Sequence, residues 1–296
     1  WAGRTFDAGS RRHAWVVWAV AVIVPALAVF VVWRLLVQTN VLLGLAADIA
    51  VLYVTLGFRQ FSHYFTDIRQ ALERGDEDES RRLLGEWLHL DASELPRTEV
   101  LRHVVEHALL AAHRHVFGVF FWFVAGAAIG LGPAGAVLYR MAEFAVRYWS
   151  YRQRALDAPA NDRLLDAGRA AFARIDQVPA RLTAFGFAVV GNFEEAINVW
   201  RSDAGLWRHA NEGVILAAAA GAVGVQLGGD AAPGITPDRS RSFSGGPDAD
   251  VSDSGGSTPG VPLQTAHLQS LVGLVWRSVV VWMLLLALLT LANVLG

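Results

Sequence analysis

The chain has 296 residues, is 54% hydrophobic with a mean hydropathy of +0.36, and carries a formal net charge of −2. That is more apolar than an ordinary soluble domain, and it lacks the basic surplus a nucleic-acid binder needs, so no nucleic-acid partner is expected. Cysteine is absent and all 25 basic residues are Arg, which excludes disulfides, thiolate metal sites, a Cys nucleophile, a Walker A lysine and a Schiff-base lysine.

Because the first residue is Trp1, a preceding segment is expected; no signal-peptide cleavage pattern is present. Residues 1–13 are polar and basic. Residues 14–34 then form an uninterrupted apolar run with Trp15, Trp18 and Trp33 near its ends. This is about the length that crosses a hydrocarbon core, with Trp residues as interfacial anchors and Pro25 as a tolerated kink. After a Gln38-Thr39-Asn40 turn, residues 41–58 make a second, shorter span. It contains Asp48, a carboxylate that must face protein or water at that depth. Residues 1–58 are therefore read as N-terminal transmembrane helices.

Residues 59–115 read as a helical cytoplasmic segment, because its arginines obey the positive-inside rule. Phe61, Phe65, Ile68 and Leu72 recur at helical spacing until Gly75, and the acidic run Asp76-Glu77-Asp78-Glu79 separates that helix from a second one over Arg81–Leu90. Thr98 is placed to cap a third helix starting near Glu99. On it His103, Glu106 and His107 share a face and could converge on a cation. Arg114, between His113 and His115 at the mouth of the next apolar run, suits a phosphate or an anionic lipid headgroup.

Residues 116–229 read as a membrane hairpin and a polar-cavity core. The apolar run 116–133 breaks at Gly132-Pro133-Ala134-Gly135 and returns through a helix on which Arg140, Glu143 and Arg147 form one stripe. Two apolar stretches of re-entrant length, up to Asn192 and from Val214 to Leu227, flank a polar connector with Glu194, Glu195, Arg201, Asp203, His209 and Asn211. Irregular polar backbone at such a place is expected to line a protected cavity. Residues 230–268, rich in Gly, Ser, Pro and Asp, read as a flexible linker, and residues 269–296 as a C-terminal transmembrane helix. The fold expected is all-α: a polytopic integral membrane helical bundle with a cytoplasmic helical segment and short re-entrant or half-length helices. Its partner is the lipid bilayer, and a homo-oligomer is a compatible state.

Five segments in order resemble the CobD/CbiB family of cobalamin biosynthesis and its AmpE-like relatives. They are residues 70–91 (QALERGDEDESRRLLGEWLHLD), Val105-Glu106, the run Gly132 to Arg140, Pro179-Ala180-Arg181-Leu182-Thr183, and Arg201 with Asp203-Ala204, Asn211, Gly213 and Leu227-Gly228-Gly229. The resemblance implies a multi-pass protein of the bacterial inner membrane. In its enzyme branch, adenosylcobinamide-phosphate synthase, it implies ATP- and Mg²⁺-dependent amide formation between adenosylcobyric acid and aminopropanol phosphate. It implies Glu106 and Asp203 as catalytic residues, Asp91 and Glu106 as metal ligands, and Arg114, Arg140, Arg181, Arg201 and Asn211 as ligand or phosphate binders, with a corrinoid or nucleotide as ligand. The sequence departs from the synthases at Leu110-Ala111, Arg114, Val119, His209-Ala210 and Leu216, so several acids are missing. The AmpE-like branch, a non-enzymatic signalling or ligand-sensing protein of the cell envelope linked to β-lactamase regulation, is the alternative expectation.

Overall fold

A computed structural model of the chain describes residues 11–56, 58–88, 91–155, 162–229 and 256–295. The basic N-terminus up to residue 10 and the linker up to residue 255 lie outside them. The described residues are helical, with isolated bridges in place of strands. Among the described residues, three helices are long and apolar enough to cross a membrane: His13–Thr39, Arg97–Ala128 and Thr265–Leu288.

The chain divides into two compact units. In the first, α1 (Arg11–Thr39) and α2 (Val41–Thr55) are joined at Asn40, whose side chain caps α2 by accepting from the Leu42 N–H at 2.8 Å. The 15 residues of α2 span only about 22 Å at the helical rise, so this helix falls short of a hydrocarbon core of about 30 Å. Asp48 is half-buried on it. α1 packs on α7 (Ala134–Ala155) and α8 (Asp162–Ile175). Val17, Val22, Ala142, Ala145, Trp149 and Leu165 form the core between them.

Two helices meet at the expected Gly-Pro break. α6 (Gly118–Ala128) ends where Gly130 and Gly132 take left-handed backbone, with φ of 79° and 56°. The Leu131 N–H then reaches the Gly126 carbonyl at 2.8 Å and the Gly130 N–H the Ala127 carbonyl at 3.1 Å, the pairing that closes a helix C-terminus. α7 returns against α6. Tyr139, on α7, is fully buried and donates its hydroxyl to Asp176 Oδ1 at 2.8 Å, while Trp122 Nε1 donates to the Ile175 carbonyl at 3.1 Å. A phenol–carboxylate bond of this kind is worth ~1.5–3 kcal/mol. Tyr139→Phe is therefore expected to lower the thermal midpoint in detergent. An unchanged midpoint would mean that Asp176 finds full compensation elsewhere.

The second unit holds α3 (Phe58–Arg74), α4 (Glu77–Leu88), α5 (Arg97–Ala112), most of α9 (Gln177–Val190), α10 (Phe193–Asp203), α11 (Ala210–Val223) and α12 (Thr265–Leu295). Gly75 ends α3 as expected: the Asp76 N–H bonds the Ala71 carbonyl at 2.9 Å. The acidic run differs from the sequence reading. It does not separate two helices but starts α4, where Asp76 Oδ1 accepts from the Glu79 N–H at 3.1 Å and Glu77, Asp78 and Glu79 occupy the first turn. Carboxylates are stabilised there by the helix dipole, and Arg82 further holds the Glu79 carboxyl below its usual range.

Thr98 is not the cap expected of it. α5 already begins at Arg97 behind Pro96, whose fixed φ of −65° suits a helix start, and no side chain caps it. α5 continues without a break through a π-helical turn, His113–Phe117, into α6. A π turn inserts one residue and rotates the remainder of the helix about its axis. No local pattern of residues marks it.

Most of the polar connector is helical: α10 (Phe193–Asp203) is followed by a 3₁₀ turn, Ala204–Leu206, and by bends over 207–209 that lead into α11. α10 is amphipathic, capped by Asn192 accepting from the Glu195 N–H at 3.2 Å. It packs against α11, whose residues from Gly213 to Ala222 are all buried. Ala184, Val199, Ala204, Val214, Ala217 and Ala218 form their joint core.

Candidate functional site

The face of α5 carries the densest buried polarity in the second unit. Arg102, His103, Glu106 and His107 are all buried, although a mixed-charge helix is ordinarily solvated. Arg102 donates through Nε to Glu99 Oε2 at 3.0 Å, its Nη2 bonds the same oxygen, and its Nη1 lies 3.8 Å from Glu106 Oε1. The i,i+3 and i,i+4 spacing that permits these pairs was visible in the sequence; that they are buried was not.

Glu106 is 0% exposed. One carboxylate oxygen, Oε1, accepts the Gly228 N–H at 2.7 Å; the other, Oε2, has no hydrogen bond among the described residues. Both ring nitrogens of His103 and Nη1 of Arg102 are likewise buried and unbonded there. Buried polar atoms are normally satisfied. An acid oxygen, an imidazole and a guanidinium nitrogen on this helix are thus buried without a hydrogen-bond partner among the described residues.

The expected convergence of His103, Glu106 and His107 on a cation does not occur. The His107 ring stands edge-on to Trp87, with centroids 4.4 Å apart, and no group of three or more His, Asp or Glu suited to a metal exists among the described residues. Asp91 is exposed and accepts from Ser93 N and Oγ, at 3.1 and 2.7 Å, whereas Glu106 is enclosed.

The other residues singled out in the sequence divide between the units. Asp203 accepts from Ser202 Oγ at 2.9 Å; Arg181 and Arg201 are exposed on α9 and α10. Asn211 lies in the first turn of α11 beside Glu212, whose charge bears on Glu106. Arg114 and Arg140 belong to the first unit. There Arg140 Nη1 donates to His115 Nδ1 at 2.9 Å and to Glu143 Oε2 at 3.1 Å, and Arg147 Nε lies 3.5 Å from Glu143 Oε1. The stripe on α7 is thus two arginines sharing one carboxylate, an excess of positive charge.

Glu106 is tied to a stretch that comes after α11. Val225 bridges Val261 and Gly228 bridges Ser257. Gly228 has φ of 79°, and a Cβ on it would meet the Gly256 carbonyl oxygen, so only glycine presents its N–H to Glu106 in this way. The flexible linker was expected to extend to residue 268, yet the chain from Gly256 onward is bridged, and α12 starts at Thr265.

These features define a multi-helix protein with membrane-length helices and an enclosed, partly unsatisfied acid–base face. A match to the family described as CobD/Cbib protein covers residues 1–242. The chain is 34% identical over 282 residues to a protein of Stutzerimonas stutzeri named "Cobalamin biosynthesis protein CobD", covering 94% of this chain and 82% of that one. It is 36% identical over 194 residues to a protein of the same name from Chromobacterium violaceum, covering 64% and 58% of the two. No solved structure matches the chain. The chain belongs to the CobD/CbiB family.

Proposed function

We propose that this protein works in cobalamin biosynthesis at the bacterial inner membrane, as an adenosylcobinamide-phosphate synthase: it joins a carboxyl group of adenosylcobyric acid to the amine of aminopropanol phosphate, using ATP. The observation that carries this reading is the buried α5 face of a CobD/CbiB chain, with Glu106 held by one oxygen and the other unpaired.

Amide formation from a carboxylate must first make one carboxyl oxygen a leaving group. ATP does so by transferring its γ-phosphoryl group to that oxygen; the amine then attacks the carbonyl carbon, the C–N bond forms and inorganic phosphate leaves. The attacking nitrogen must shed a proton. Glu106 Oε2 is the acceptor in this reading, and the enclosed site keeps water from hydrolysing the acyl phosphate. Arg102 balances the carboxylate charge through Glu106 Oε1 and Glu99. Arg181 and Arg201, in the same unit as Glu106, are the phosphate-binding candidates, because a guanidinium matches phosphate with two parallel N–H bonds.

Mg²⁺ fits these residues in a limited way. Nucleotide-bound Mg²⁺ takes one or two protein carboxylates and completes its shell with phosphates and water; with Glu106 Oε2 given to the amine proton, the exposed Asp91 is the expected carboxylate left to hold it. When bound, the ion would neutralise phosphate charge.

Titration calorimetry of the detergent-purified chain with adenosylcobyric acid, and separately with Mg-ATP, tests the reading, followed by turnover with aminopropanol phosphate. Binding of both with amide product is expected. Nucleotide binding without corrinoid binding would shift the reading to an AmpE-like sensor, and binding of neither would overturn it.

A further inference from the structure

We propose that Thr258 is a positioning residue for Glu106, acting through the Leu227–Gly228 peptide; this rests on the reading of Glu106 as the proton acceptor. Thr258 lies beyond the 1–242 stretch that matches the family and more than a hundred residues along the chain from Glu106, in a stretch whose composition reads as linker.

Thr258 is 2% exposed, and it grips Leu227 from both sides. Its N–H donates to the Leu227 carbonyl at 2.9 Å, and its Oγ1 accepts from the Leu227 N–H at 2.8 Å. Oγ1 also lies 3.3 Å from the Leu227 carbonyl oxygen, to which its own hydrogen can point. Both polar groups of the Leu227 backbone are thereby fixed. The next N–H along the chain is that of Gly228, and it is the donor to Glu106 Oε1.

Neighbouring bonds close the same unit. The Gly229 N–H reaches the Gly256 carbonyl at 2.6 Å, and the Gln226 N–H the Val261 carbonyl at 2.9 Å. The bonds of the Gln226 and Gly229 N–H groups and of the Leu227 carbonyl are backbone to backbone and survive any side-chain change. The Leu227 N–H depends on a side chain other than Glu106, and Thr258 supplies it. A hydroxyl is required for this, since valine has the same shape and no acceptor.

The consequence falls on which oxygen of Glu106 is free. With the Gly228 N–H fixed, Oε1 is occupied and Oε2 is the oxygen presented. Without Oγ1 the Leu227 N–H is freed and the peptide carrying the Gly228 N–H is held by the Thr258 N–H alone, so its aim loosens and the carboxylate can turn and expose either oxygen. A loosened carboxylate binds substrates about as well but holds the acceptor oxygen in place for less of the time, so kcat falls while KM moves little.

The test compares Thr258→Val with Thr258→Ser in the full chain, read by infrared spectroscopy of the Glu106 side-chain band, which Glu106→Gln identifies by its loss. This readout does not depend on turnover, so it stands even if the synthase reading fails. Thr258→Val is expected to shift and broaden the band, and Thr258→Ser to leave it at the wild-type position. Where turnover is measured, kcat is expected to fall about tenfold or more in the Val variant at near-constant KM, with recovery in the Ser variant. An unmoved band in Thr258→Val, or equal behaviour of Val and Ser, would overturn the proposal. Should Thr258→Val fail to fold, Thr258→Ala gives the same comparison without filling the site. Failure of both beside a folded Ser variant would make Thr258 a structural tie only and would equally overturn it.

Discussion

Glu106→Gln is expected to cut turnover by two to four orders of magnitude, the usual contribution of a positioned proton acceptor, while leaving the fold intact. The amide is isosteric with the carboxylate, so no cavity forms. Its carbonyl oxygen can keep the Gly228 N–H bond that Oε1 makes at 2.7 Å. The larger cost to weigh is electrostatic. Removing one partner of a buried ion pair ordinarily costs ~3–5 kcal/mol because a charge is left alone. Arg102 is not left alone, since Glu99 Oε2 receives both its Nε and its Nη2. Its contact with Glu106 is the long one, at 3.8 Å. The stability loss is therefore expected to be small, about 1 kcal/mol, the scale of one ordinary net hydrogen bond.

Glu106→Ala behaves differently. Alanine leaves the Gly228 N–H buried without an acceptor, at ~1–3 kcal/mol, and adds the cost of an empty volume. A catalytic base predicts that Gln and Ala are equally inactive but differ in melting temperature. A structural tie predicts that activity tracks stability, with Gln nearly as active as wild type. Turnover and thermal midpoint measured on the two variants side by side decide between these patterns; an active Glu106→Gln would remove Glu106 from the chemistry.

Much of the fold was legible because its signals are local. The run from residue 14 to 34, the Gly-Pro break at Gly132 and Pro133, and the stop at Gly75 each depend on neighbours within one or two turns, and each appears in the structure at the expected place. The five segments that resembled CobD/CbiB proteins led to the correct family. What was missed depends on distant residues or on competition between two local rules. The acidic run Asp76–Glu79 reads as a polar separator by composition, but Asp76 caps and the helix dipole favours acids, so the run belongs to α4. Thr98 has a capping side chain, but Pro96 starts the helix two residues earlier. The polar connector has the composition of a loop, yet Asn192 caps it and the apolar face of α11 gives its Val199 and Ala196 a surface to bury against.

The site was legible in part for the same reason. Glu106 stood out on its helix, but the sequence showed neither the burial of Arg102 and His103 nor the partner of Glu106. That partner is a backbone N–H more than a hundred residues away, and backbone groups leave no mark in composition. Thr258 left none either, since a single threonine among Gly, Ser and Pro reads as linker. Asp91, expected to reach a metal, uses its Oδ1 in the adjacent turn at Ser93, a local bond that Asp two residues before a serine commonly makes.

Gly135→Ala is expected to destabilise the hairpin of α6 and α7 by about 2 kcal/mol or more. A methyl group at Gly135 would collide with the Trp122 carbonyl oxygen and stand 3.2 Å from the Cα of Gly126. These are backbone atoms of a facing helix, so no side chain can swing aside and the two helices must separate. Adding even one methyl group to a close-packed contact costs ~1–3 kcal/mol, and here the neighbour cannot yield locally. An opposing effect sets the sign of the test. Alanine is the better helix former by ~1 kcal/mol, so on propensity alone Gly135→Ala would raise stability. Small residues let helices approach closely where no hydrophobic driving force between helices operates, as in a bilayer. The thermal midpoint in detergent is the measurement. A fall shows that close approach of α6 and α7 outweighs propensity, while a rise would mean that the hairpin is held apart at Gly135 and that Tyr139, four residues further on α7, is buried by other means.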